Sequence, residues 1–188
     1  MKINSLNILI NQASSLDKKF YFISGNEKTL MEKIKTIIID GFKEKENIQI
    51  KSIDTINDFV DEFELFGSKS IYIVNGNKGI DIKALDDLRS SESNFIFLQE
   101  NSQKIKKIKN LFSVDKDSYL IDCYELDKDS KIKILNEFLR VNKLAISQDV
   151  YWFLIDKLDS KYIFFEKNLN KVLELDKQDI TLDKIKKI

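Results

Sequence analysis

The sequence predicts an α/β fold, a five-stranded, mostly parallel sheet domain followed by a small all-helical domain. Three observations carry this reading. Five short runs rich in β-branched and aromatic residues are apolar almost throughout, the pattern of strands covered on both faces. Amphipathic helical patterns lie between them, and repeated strand–helix alternation argues for a parallel sheet with helices on its faces. Past Leu126 the strand pattern stops and only helical periodicity continues.

The strand runs are residues 20–24, 48–53, 70–74, 95–99 and 119–123. The helical pattern at 29–42 sets Leu30, Ile34, Ile37, Ile38 and Phe42 on one stripe, with charged residues elsewhere. Residues 55–63 repeat that spacing with Ile56, Phe59, Val60 and Phe63. A short helix at 82–89 offers Leu85 and Leu88. The pattern at 102–112 aligns Ile105, Ile108, Leu111 and Phe112, and sets Lys104, Lys106, Lys107 and Lys109 largely on the opposite side. In the second part, Asp129 or Ser130 caps a helix running to about Val141, with Ile132, Leu135, Phe138 and Leu139 inward. Ser147 opens another, followed by Val150, Trp152, Phe153, Ile155 and Leu158. Residues 161–175 form a third, and Thr181 caps a last short one. The expected domains are therefore 1–126 and 127–188.

Composition narrows the function. The 188 residues include one cysteine, Cys123, and no histidine. Internal disulfides, the usual zinc sites and histidine acid–base catalysis are thereby excluded, and a cytoplasmic protein is expected. No apolar stretch approaches the roughly 18 residues of a membrane span. Basic and acidic residues balance at 31 each. Up to Leu126 there are 18 basic and 20 acidic residues, and 13 and 11 after it, so neither part has the basic excess of an autonomous nucleic-acid binder. Proline is absent, which leaves fewer turn markers than usual.

The first strand ends in Ser24-Gly25-Asn26-Glu27-Lys28-Thr29. Strand, glycine, Lys-Thr and helix superficially suggest a nucleotide-triphosphate loop. That loop needs four residues between two glycines so that backbone amides wrap the phosphates. Here two residues separate Gly25 from Lys28, and Glu27 would face the anion. The turn reads instead as a strand-to-helix connection capped by Asn26 or Thr29. A small nucleotide-binding hydrolase or transferase using the Gly25 turn is the alternative class. The acidic pairs Asp61/Glu62 and Asp86/Asp87 are helix neighbours about 100° apart and read as solvated faces, as do the lysines of 104–109. Cys123 lies in an apolar strand and reads as inert core.

Phe63-Glu64-Leu65-Phe66-Gly67 places two large apolar residues between a helix and a strand, beside a Gly67-Ser68 turn. Such residues either fold back into the core or stay exposed as an anchor for a partner. The residues alone favour folding back.

In this order, the motifs resemble the delta subunit of the bacterial DNA polymerase III clamp loader. Phe20-Tyr21-Phe22-Ile23-Ser24-Gly25-Asn26-Glu27 with Leu30 is similar to that family's apolar strand followed by Gly-Glu-Glu and leucine. Phe63-Glu64-Leu65-Phe66-Gly67-Ser68-Lys69 is similar to its apolar-x-Leu-Phe segment. Cys123-Tyr124-Glu125-Leu126 falls where that family passes from sheet domain to helical lid. Glu166 with Leu169-Asn170-Lys171-Val172, then Ile180-Thr181-Leu182-Asp183, resemble the lid's closing motifs.

The resemblance implies an AAA+-like fold without a functional nucleotide site, no catalysis by this subunit within the polymerase holoenzyme, and no cofactor. The partners it implies are the sliding clamp, other clamp-loader subunits, and DNA within the assembled complex. It makes Phe63, Leu65 and Phe66 clamp-binding residues, reversing the folded-back reading. Phe63 departs from the family's usual methionine. The family's third, collar domain is not represented in the chain.

Overall fold

In the computed structural model, which describes residues 1–11, 17–60, 69–176 and 180–187, six strands form one sheet. They are β1 (Lys2–Asn4), β2 (Phe20–Gly25), β3 (Ile48–Ile53), β4 (Lys69–Val74), β5 (Asn94–Glu100) and β6 (Ser118–Cys123). Their order across the sheet is β1-β6-β2-β5-β4-β3, and every pairing is parallel. The expected count of five is corrected to six. The added strand, β1, is three residues long and pairs Ile3 with Ile121 at the sheet edge. Its single apolar residue gave no strand pattern to read.

Helices α1 (Ser5–Asn11), α2 (Lys28–Lys43), α3 (Ile82–Arg89) and α4 (Lys106–Val114) surround the sheet. β2 is buried along its whole length, and the covering on each face explains why. Phe22 stacks on Phe112 of α4 with ring centroids 4.6 Å apart, whereas the neighbouring Tyr21 meets Phe42 of α2 edge-on at 5.8 Å. Successive strand residues point to opposite faces, so α2 and α4 cover opposite sides. The α4 side holds a cluster of Phe20, Phe22, Tyr72, Phe95, Phe97 and Phe112, closed by Leu85 and Leu88 of α3. On α2, Leu30, Ile34 and Ile38 are buried as the stripe predicts.

The helix expected at 55–63 does not form over its described part. Ile56–Asp58 make one 3₁₀ turn, capped by Thr55, whose backbone N–H donates to the Asp58 carboxylate at 2.8 Å. Phe59 then leaves the helix as extended backbone (φ −68°, ψ 127°). Its ring packs edge-on against Tyr72 at 4.9 Å and Phe95 at 5.1 Å. Sheet burial of one aromatic outweighs the propensity of a short amphipathic run. A smaller departure occurs at 102–112, where a 3₁₀ turn, Gln103–Ile105, precedes α4.

The chain divides into two compact units, Met1–Cys123 and Tyr124–Ile188. The second comprises α5 (Lys128–Val141), α6 (Gln148–Lys157), α7 (Tyr162–Leu173) and α8 (Leu182–Ile185). Leu135, Val150, Leu154, Phe165, Leu169 and Val172 are among its buried residues. Asp127 rather than Asp129 or Ser130 caps α5, accepting from the Ser130 N–H at 2.8 Å. Trp152 points outward, because α6 turns Val150 and Leu154 inward and position 152 lies about 200° round from 150. Lys128 lies over its ring at 5.5 Å.

Candidate functional site

In a parallel α/β sheet, ligands bind outside the carboxyl ends of the strands, where neighbouring connections leave in opposite directions. β2 occupies that position here, between β5 and β6. Its end is closed by the chain itself. A Cβ on Gly25 would stand 1.7 Å from the Cys123 carbonyl oxygen, so the glycine is required by the close approach of β6. Two backbone bonds complete the closure. The Glu27 N–H donates to the Cys123 carbonyl at 3.3 Å, and the Asn101 N–H donates to the Gly25 carbonyl at 2.9 Å.

The amino end of α2 would be the natural cradle for a phosphate, since its first N–H groups lack helical partners. Glu27 takes that place. Its carboxylate accepts from the Thr29 N–H at 3.2 Å, the Leu30 N–H at 2.7 Å, and the Thr29 hydroxyl at 2.9 and 2.8 Å. Glu27 is 4% exposed. The cap is therefore Glu27, correcting the expected Asn26 or Thr29. Lys28, the other half of the apparent Lys-Thr signature, points outward to an exposed ion pair with Glu100 at 2.7 Å.

Glu27→Ala removes the acceptor of one buried amide, one part-buried amide and a hydroxyl. We expect it to lower the unfolding free energy by about 1–2 kcal/mol, measured by denaturant titration, with Glu27→Gln recovering part of the loss. An unchanged midpoint would contradict the capping role.

Beside this turn, Asp122 on β6 is paired with Lys109 at 2.5 Å and Lys2 at 2.8 Å. Burial opposes its charge, but the hydrogen bonds and positive charges of the two lysines together outweigh burial and hold the carboxyl below the ordinary range. Lys109 is thus not a solvent-face lysine, correcting the reading of residues 104–109; Lys104, Lys106 and Lys107 are exposed as expected. Cys123 is buried, and burial pushes its thiol well above the usual value, which makes it a poor nucleophile. Asp86 and Asp87 lie on the exposed side of α3, where Asp86 pairs with Arg89 at 3.1 Å. Among the described residues, no group of three or more acidic residues or cysteines is placed to hold a metal. No helix there is long and apolar enough to cross a membrane.

Phe63, Leu65 and Phe66 lie outside the described residues, as do Asp61 and Glu62. The flanks of their segment are described. Phe59 is anchored in the sheet cluster, and the Tyr72 hydroxyl donates to the Val60 carbonyl at 3.3 Å. Lys69 begins β4 at the amino edge of the sheet, the opposite edge from Gly25, and pairs with Glu46 at 2.8 Å.

No family model and no curated protein matches the sequence. Solved structures do. The Bacillus subtilis DNA clamp loader delta protein superposes with a TM-score of 0.62 at 14% identity, covering 90% of this chain and 57% of that one. The fold is AAA+-like. It is the fold that the sequence resemblance implied, and this chain spans just over half the length of that structure. Domain III of the Thermotoga maritima replication initiation protein DnaA is a more distant match, with a TM-score of 0.44 and 13% identity, covering 94% of this chain and 86% of that one.

Proposed function

We propose that the chain is a non-catalytic clamp-loader subunit of DNA replication. It binds the sliding clamp through Phe63, Leu65 and Phe66 and helps hold the ring open for loading onto primed DNA, together with other loader subunits. The observation that carries this reading is Glu27. On an AAA+-like sheet, the helix end that would cradle phosphate is filled by the protein's own carboxylate, which leaves the fold a binding role. The likeness to the clamp loader delta protein and the apolar-x-Leu-Phe segment support the choice of partner.

The mechanism is conformational. A protein biases another between closed and open states only by binding one more tightly, and a tenfold preference corresponds to about 1.4 kcal/mol. The alternative, a hydrolase or transferase using the Gly25 turn, has to displace a buried carboxylate held by two amides. Calorimetric titration with purified sliding clamp and, separately, with ATP distinguishes them. Saturable clamp binding without a heat from ATP is expected. ATP binding at micromolar concentration, or no clamp binding, overturns the proposal.

A further inference from the structure

We infer that the groove between α5 and α6 is a contact site for single-stranded nucleic acid. Trp152 stacks on a base, and Lys128 and Lys131 hold the adjoining phosphate. The site is separate from the clamp-binding wedge of Phe63, Leu65 and Phe66 and does not depend on it.

One face of each helix builds the groove. Residues three and four apart on a helix share a face, so Lys128 and Lys131 stand together on α5. Trp152, Ile155 and Asp156 do the same on α6, and the five line a pocket of about 260 Å³. Ile155 is buried, whereas Trp152 is 47% exposed. Singly exposed large apolar residues are common, but this one stands among cations. The Lys128 ammonium lies 5.5 Å from the centre of its ring, within reach of a cation–π attraction. The Lys131 ammonium donates to the Leu158 carbonyl at 2.5 Å, which fixes its position and takes one of its three donors.

The charges favour an anion. Lys128 opens α5, where the helix dipole disfavours a cation. Asp156, the one carboxylate of the pocket, pairs with Lys157 at 2.9 Å. The hydrogen bond and charge of Lys157, with the charges of Lys128 and Lys131, hold Asp156 below the usual carboxylate range. Three lysines thus surround one carboxylate in a chain of zero formal net charge.

An aromatic face beside cations is how single strands are held, since every base can stack and every phosphate can meet a lysine. A duplex hides its base faces in its own stack, and an acidic peptide backbone offers the indole no base to stack on. The pocket is below the roughly 300 Å³ at which small-molecule sites begin, so it suits one unit of a passing strand better than an enclosed free nucleotide. A single contact of this kind needs no overall basic excess.

The test uses the intact chain. Trp152 is its only tryptophan, so tryptophan fluorescence reports from the groove. Short oligothymidylate at low salt is expected to quench it saturably, with a duplex of equal length and thymidine monophosphate each binding at least tenfold more weakly. By anisotropy of labelled oligothymidylate, Trp152→Ala should weaken binding about fivefold or more. Trp152→Phe, which keeps a ring and guards against a folding defect, should lose less. Lys128→Gln/Lys131→Gln should lower the slope of log affinity against log salt by about 0.7 per lysine. Absence of quenching overturns the inference, as does a duplex, thymidine monophosphate or oligoglutamate of matching charge that binds as tightly as the single strand. Unchanged affinity in both Trp152→Ala and the lysine pair overturns it equally. None of these results alters the clamp titration.

Discussion

Gly25→Val should destabilise the sheet domain rather than disable a nucleotide site. Its Cβ would arrive 1.7 Å from a backbone carbonyl, that of Cys123, which no rotamer change can move. Relief requires β6 to part from β2, and these strands pair along their full length, from Phe20 opposite Ser118 to Gly25 opposite Cys123. The same displacement would break the Glu27 N–H bond to Cys123 and loosen the α2 cap. Overpacking a well-filled interior costs about 1–3 kcal/mol, occasionally more. A clash with fixed backbone belongs at the upper end. At roughly 2–4 °C per kcal/mol for a chain of this size, a fall of about 6–12 °C in melting temperature is expected. Gly25→Ala should show most of it, since the clash is with the first side-chain carbon. Lys28→Ala, which breaks only an exposed ion pair with Glu100, should melt with the parent. A phosphate-loop reading expects the reverse, with both variants folded and both losing a nucleotide-dependent activity. A Gly25→Ala protein melting within 2 °C of the parent would refute the packing argument.

The strands β2, β4, β5 and β6 are legible because they are mostly buried and so read as nearly continuous apolar runs. Strand β3, half-exposed at the sheet edge, is legible only through the spacing of Ile48, Ile50 and Ile53. The edge strand β1 is hidden because Lys2-Ile3-Asn4 has too few residues to show any pattern. The helical spacing over residues 55–60 misleads for a specific reason. Ile56, Phe59 and Val60 have helical spacing, yet Phe59 is drawn into the cluster of Tyr72 and Phe95 from extended chain. Local periodicity cannot register a ring whose partners lie on other strands.

At the Gly25 turn, the spacing ruled out a phosphate loop but supplied neither the cap nor the reason for the glycine. Glu27 is not among the residues that usually lead at helix caps. The carbonyl that demands Gly25 is on Cys123, far along the chain. Lys109 was similarly concealed. It sits among other lysines on one helix, and only the fold brings Asp122 within 2.5 Å of it. These long-range polar pairings carry no local signal. The wedge itself was legible only as a choice between burial and exposure, and the family resemblance made the choice.

Leu65→Ala/Phe66→Ala decides that choice, and the proposed function depends on it. Central apolar anchors of an interface typically cost about 2–4 kcal/mol when cut to alanine, roughly a 30- to 1,000-fold loss of affinity. With both removed, clamp binding should vanish from a calorimetric titration at micromolar concentrations. Phe63→Ala alone should weaken it less, as the third contact. Stability supplies the independent readout. If Phe66 were a folded-back core residue, truncation would lower the unfolding free energy by about 3–5 kcal/mol, a fall of roughly 6–20 °C at the same conversion. The flanks give the comparison a reference within the same molecule. Phe59, partly buried edge-on against Tyr72 and Phe95, should show a clear loss of stability when cut to alanine, whereas Leu65 and Phe66 should not. A double variant that keeps the parent's melting temperature and loses the clamp places both residues at a partner surface. One that melts as low as Phe59→Ala places them in the core, and the residue-level support for clamp binding is then gone.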